Sequence, residues 1–318
     1  MNEQVCKADM GGDGAAVVDT YGYPVETTGN AVLDILEHRS STRAFARDDD
    51  DRPVAVTDEQ RAAILHAASR APSAGAMMMY SIVSIREQVT LDRLADLCDH
   101  QPMIAKAPWA LIFVVDYAKW IDLFEHVGCF EPEFVERTGK VPRRAPGLGD
   151  FAIAAQDAVI AAQNAVVAAE ALGLGSCYIG DIVENAEEVA ELLDLPTYTM
   201  PLSMLIIGTP RKERPAIAHP VVNLVHEERY CRADAATMDA QVAEMDTMSA
   251  PWGRMSPVNL SHLLNTVTTG IPSQPSSLSS SRVTFACSSQ SSAEASHTWI
   301  ITSALAASSR VDLKASTS

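Results

Sequence analysis

The stretch FAIAAQDAVIAAQNAVVAAEALGLGSCYIGD, residues 151–181, decides how the rest of the chain is read. Over 151–172 it is Ala-rich and apolar almost all round, interrupted mainly by Gln156, Asp157, Gln163, Asn164 and Glu170. Such a helix is predicted to be buried, in a domain centre or at a subunit interface. Gly173 and Gly175 end the pattern before Cys177-Tyr178-Ile179, a short strand candidate. The order matters. A dinucleotide-binding glycine loop follows a strand and opens a helix, whereas these glycines follow a helix and precede a strand. Gly173 or Gly175 therefore reads as a helix C-cap. Gly180, after the strand, lets the backbone approach a flat ligand and offer an N–H, although a simple turn explains the same residue.

On the C-terminal side, 186–193 is a helix candidate and LSMLII (202–207) a buried strand. On the N-terminal side, WALIFVV (109–115) is the continuous apolar run of a strand covered on both faces. A short helix is expected over 91–98 and a strand at SIVSI (81–85). The turn APSAG (71–75) stops a helix running to about Arg70, which Thr57-Asp58-Glu59-Gln60 opens as a capping box. The first periodic segment starts at Asn30, carries Val32, Leu33, Ile35 and Leu36 as its stripe, and ends in His38-Arg39-Ser40-Ser41-Thr42-Arg43. Alternating helices and strands give an α/β or α+β class with a covered sheet. Three regions are expected: a loose leader over 1–28, a folded domain over 29–250, and a Ser-rich tail over 251–318 whose composition predicts disorder.

A formal net charge of −17 argues against nucleic acid and against an anionic membrane surface. In such a chain each arginine cluster is informative. Arg39 and Arg43 are four apart with Ser41 between, so on a persisting helix both guanidinium groups reach one side and can hold a phosphate. A solvated helix end carries the same residues. Met77-Met78-Met79-Tyr80 is a polarizable surface able to flank an aromatic ring, or ordinary core. The cysteines are scattered singly and the histidines form no H-x-x-x-H pair, which leaves metal ligation without support and suits reduced thiols. No secretory leader and no run near ~18 apolar residues is evident, so a soluble, cytoplasmic protein is expected.

The blocks HRSSTRAF (38–45), APSAGAMMMYSI (71–82), HQPMIAKAPWALIFVVD (100–116), AAQNAVVAAEALGLGSCYIGD (161–181), LPTYTMPLSMLIIGTP (195–210) and VVNLVHEERY (221–230) resemble, in order and spacing, the FMN-dependent nitroreductase family. The similarity is greatest to its oxygen-insensitive NADPH nitroreductase and flavin reductase group, and it covers about residues 30–250. It implies an α+β fold, a mixed central sheet wrapped by helices, in a homodimer with two FMN sites built from both subunits. The 151–172 helix then becomes an interface helix. Arg39, Ser41 and Arg43 fall on positions that grip the FMN phosphate and ribityl chain, with Ser40 in the same set. Gln101 falls on a glutamine that meets the flavin, and Gly180 and Asp181 on the turn whose N–H faces flavin N5. The activity implied is hydride transfer from NAD(P)H through the flavin to a nitroaromatic, a quinone or free flavin, without a side-chain acid or base and without a metal.

The chain departs from the family pattern in three places. Ala76 and Met78 replace the Asn and Gln of A-P-S-x-x-N-x-Q, which removes two polar contacts to the flavin ring at ~1 kcal/mol each. Ala216 and Ala218 stand near a later basic pair, for which Arg211, Lys212 and Arg214 are the candidate replacements; Arg214 is taken into the site set. The tail matches nothing in the family. These losses keep two other readings open: a non-catalytic flavin-binding protein, and an enzyme of this fold with other flavin chemistry.

Overall fold

A computed structural model describes residues 29–140, 145–212 and 224–248, with the two pairs 282–283 and 299–300. The expected leader and nearly all of the tail lie outside these residues. So do Arg214, Ala216 and Ala218. The chain divides into two units, Met1–Asn259 and Leu260–Ser318.

The first unit is built on a four-stranded sheet in the order β1-β2-β4-β3, from β1 (Tyr80–Ile85), β2 (Trp109–Asp116), β3 (Gly175–Ile179) and β4 (Thr199–Gly208). Every pairing among these strands is antiparallel. The mixed character expected of the sheet is confined to a parallel bridge between Ser41 and Ser176 at the β3 edge. β2 is central and buried along its whole length, as its unbroken apolar run requires. Its residues alternate between two cores. Trp109, Leu111 and Phe113 face one core together with α2 (Asp58–Ser69) and α7 (Leu148–Ala171). Ala110, Ile112 and Val114 face the other, with α3 (Gln88–Leu97), α4 (Pro102–Ala105) and α8 (Ala186–Leu192). A fully buried large side chain stabilises by ~1.5–3 kcal/mol, so β2 is where substitution is tolerated least.

The caps follow the local sequence. Thr57 and Gln60 form the reciprocal capping box of α2, with Gln60 N donating to Thr57 Oγ1 and Thr57 N to Gln60 Oε1. At the end of α7, Gly173 takes φ +72°. Gly173 N donates to Glu170 O and Leu174 N to Ala169 O, the paired closure of a left-handed C-cap. Gly175 instead belongs to β3.

α7 is long and apolar enough by composition to cross a membrane, a property the sequence reading did not assign to it. Ala154, Asp157, Ala158, Ala161, Ala162, Ala165, Val166 and Ala169 are buried, the three-and-four spacing of a core-facing stripe. Small alanines let α2 and the sheet approach closely. The opposite side leaves Ile153, Val159 and Ile160 exposed. α1 (Ala31–His38) is capped by Asn30 and buries none of its residues, leaving Val32, Leu33 and Leu36 in solvent. Cys98, Cys129 and Cys177 are free thiols. Cys231 is disulfide-bonded, which the scattered spacing gave no reason to expect, since pairing is decided in space.

Candidate functional site

The helix that was to bring Arg39 and Arg43 together stops at His38, and Arg39 is extended at φ −61°, ψ 142°. Its chain is recruited by β3 instead. Ser41 bridges Ser176, and Thr42 N donates to Ser176 O at 2.8 Å. Beyond them Ala46 N donates to Thr209 O, and Arg211 N to Ala44 O. An extended segment repeats every two residues, so positions 39, 41 and 43 still share a side. Burial follows that alternation: Ser40 and Thr42 are buried, Ser41 and Arg43 exposed, and Arg39 half-buried. The expected grouping survives for a different reason, and Ser40 lies on the inward side.

Phe45 anchors the segment. It is buried over the end of β4, where a Cβ on Gly208 would come within 2.8 Å of its ring and 2.6 Å of Pro108 Cγ. Only glycine leaves room for that stack. Of the candidate later cations, Arg211 is drawn beside the segment by its bond to Ala44, and Lys212 follows it.

The β3–β4 ladder ends at Ile179↔Met204, one residue before Gly180. Gly180 has an ordinary right-handed backbone, φ −83°, so conformation does not require glycine there. A Cβ would meet no protein atom within 4 Å, which leaves open space against the backbone. Gln101, far away in sequence, donates from Nε2 to Asp181 Oδ2 beside that opening. Asp99 and His100, at φ 57° and 51°, turn the chain sharply into Gln101. Glu184 also faces this corner: burial, Asp181 and Asp99 hold its carboxyl above the usual range. Cys98, pushed up to about 12 by burial and by Asp181 and Glu184, is an unreactive thiol.

Among the described residues neither Arg39 nor Arg43 has an ion-pair partner, although the chain carries 41 Asp and Glu against 24 Lys and Arg. Among the described residues four buried side-chain atoms lack a hydrogen-bond partner, and three of them, Arg39 Nε, Thr42 Oγ1 and Ser176 Oγ, belong to the 39–43 segment and the strand residue it pairs with. Of the three, Arg39 Nε belongs to the side shared with Ser41 and Arg43, where a group from outside the chain can pair with it, while Thr42 and Ser176 are buried. Two residues that sequence reasoning missed feel the same cations. Burial raises Cys177, against the pull of Arg43, Ser41 and Arg39. Burial pushes the Tyr178 phenol up to about 12, with Arg39 opposing. Their only sequence signal was membership of the strand before Gly180. An uncompensated cationic pair, an adjacent hydroxyl and open backbone fit a ligand with an anionic group and a flat body.

The other turn expected to meet a flavin ring lies at the opposite edge of the sheet, leading into β1. Gly75, Ala76 and Met78 are all left-handed, at φ 58°, 56° and 48°. For Ala and Met this is a strained choice that glycine or asparagine makes more easily. Ala74 N donates to buried Asp157 on α7 at 3.0 Å, and Met78 N to Ser73 Oγ at 3.0 Å. Beside the turn lies a cavity of about 380 Å³, walled by Met77, Met79, Tyr117, Trp120, Phe124 and Ile153.

Residues 36–209 match the model of the nitroreductase family, and the chain belongs to that family. It is 32% identical over 215 residues to an FMN reductase [NAD(P)H] of Bacillus subtilis, covering 67% of this chain and 79% of that protein. It is likewise 32% identical over 218 residues to the oxygen-insensitive NADPH nitroreductase of Salmonella typhimurium, 67% of this chain and 81% of the relative. Among solved structures, NfrA2 of B. megaterium superposes with a TM-score of 0.65 at 28% identity, over 76% of this chain and 92% of its own. The NADPH:FMN oxidoreductase from Vibrio harveyi, complexed with NAD+, gives 0.59 at 26% identity, over 76% and 98%. The α+β fold is that of the family.

Proposed function

We propose that this chain is an FMN-dependent oxidoreductase that uses NAD(P)H to reduce a small acceptor such as a nitroaromatic, a quinone or free flavin. One observation carries the reading: among the described residues Arg39 and Arg43 have no ion-pair partner at the β3 edge, and Arg39 Nε is buried and unbonded. The names of the relatives, FMN reductase and NADPH nitroreductase, supply the ligand class that such a grip suits.

Bound FMN supplies a two-electron carrier that accepts hydride from a nicotinamide and returns it to an acceptor. The chain's own work is binding and orientation. Arg39 and Arg43 offer charge-assisted donors to the phosphate, and Ser41 adds a hydroxyl between them. Ser40 lies on the buried side of the segment. Gly180 and Asp181 would offer backbone N–H groups beside the open space that a Cβ on Gly180 would enter. Gln101 reaches the same corner through Asp181. Arg211 is the described cation best placed to add to the grip, and Arg214 remains part of the proposed set. The cofactor-binding domain is taken as 29–250.

We infer a homodimer as well. The Met-rich turn lies at the β1 edge, about 14 Å across the sheet from β3 at ordinary strand spacing. A second copy is the simplest source of that turn for a ligand held at β3. Val32, Leu33 and Leu36 on α1, with Ile153 and Ile160 on α7, are exposed apolar side chains that such a partner would cover.

The test is an anaerobic titration of the FMN-loaded protein with NADH and with NADPH. The flavin absorbance is expected to bleach with at least one and to return on adding a quinone. FMN that binds but stays oxidised with both would leave a flavin-binding protein without reductase activity.

A further inference from the structure

Asp181 brings a carboxylate to this corner as well as a backbone N–H. Its carboxylate receives the Gln101 amide, linking two residues 80 positions apart. A carboxylate accepts and does not donate, so the amide must turn its NH2 toward Asp181 whatever else is nearby. Oε1 is thereby pointed away from Asp181, and among the described residues no protein donor meets it. The backbone of Gln101 is held as well. Its side chain makes no cap for the helix it begins, its N–H donates to Ala95 O at 3.1 Å, and two left-handed residues deliver it to this place. Asp99 and His100 both hold this left-handed geometry at φ 57° and 51°, which fixes the direction in which the chain enters Gln101.

We propose that Asp181 is a positioning residue that sets the polarity of Gln101, so that the ligand meets a carbonyl acceptor and not an amide donor. This rests on the FMN reading above. The oxidised isoalloxazine ring has a single N–H, the imide at N3, and an outward carbonyl is the partner that favours it. An outward NH2 would instead favour the deprotonated N3 anion.

The experiment follows N3 ionisation of bound FMN by its absorbance as the pH is raised, in full-length protein. Asp181→Asn can donate to Gln101 Oε1 and release the amide to turn over. The N3 pKa is then expected to fall by about one unit, a tenfold change in the ionisation constant. Removing the Asp181 charge alone lowers it too, so the same change is made in a Gln101→Ala background, where the fall is expected to be less than half as large. Asp181→Ala, which also frees the amide, gives a second route to the fall, and Asp181→Glu, still acceptor only, is expected to keep the wild-type value. An equal fall in both backgrounds, or none, overturns the proposal and leaves the FMN reading intact. Wild-type protein that takes up no FMN overturns both.

Discussion

At the β3 edge two guanidinium groups have no ion-pair partner among the described residues, and the strand ends at an open glycine, whereas at the β1 edge left-handed residues carry methionines past an aromatic wall. Both edges belong to one sheet and both are fed by short turns. The first is organised by backbone bonds to β3 and β4 and leaves polar atoms wanting a partner. The second is organised by one buried carboxylate, Asp157, which takes the Ala74 N–H and leaves its other oxygen unbonded. On the function proposed above, the difference separates binding energy from selectivity: charge at one edge would hold the ligand, and apolar shape at the other would decide what can lie against it.

The comparison can be broken most forcefully at Gly208. Gly208→Ala drives a methyl into Pro108 and Phe45, and is expected to cost about 2–3 kcal/mol in stability. Because Phe45 anchors the cationic segment, FMN retention should fall with the melting temperature in chemical and thermal unfolding. Unchanged stability would show that the stack is loose and the segment is held some other way. Next in size, Arg39→Ala and Arg43→Ala should each weaken FMN binding by about 10- to 100-fold, the worth of one charge-assisted bond, without moving the melting temperature of the apoprotein. Equilibrium dialysis would read this, and full affinity in both variants removes the phosphate assignment. The smallest effect belongs to the other edge. Ala76→Gly relieves a left-handed alanine and should raise the unfolding free energy by about 0.5–1 kcal/mol while leaving FMN affinity for the β3 grip nearly untouched. A stability loss on denaturant titration would mean that the Ala76 methyl packs usefully enough to outweigh its backbone strain.

Legibility differed between the edges for physical reasons. The caps, the buried strand β2 and the glycine that ends α7 were readable because each depends on neighbours within a few residues. The sequence marks Arg39 and Arg43 as a pair sharing one side but not the geometry that makes them so, because the helix ends where a strand from far along the chain offers Ser176 as partner. Gln101 was marked by resemblance, while its bond to Asp181 was not visible in either local sequence. The left-handed turn at Ala76 and Met78 could not be read either, since neither residue favours that conformation and only the surrounding packing imposes it.

The sequence by itself determined the helices and strands, the two-sided core, the family, and the scarcity of cations that makes Arg39 and Arg43 conspicuous. Periodicity, capping chemistry and net charge are local or additive properties, so one dimension suffices to express them. Tertiary structure alone decided that the cations share a side through an extended segment, that Gln101 meets Asp181, and that the methionine turn lies at the far edge of the sheet. Those facts depend on which distant backbones pair, and pairing follows from the burial of the whole core.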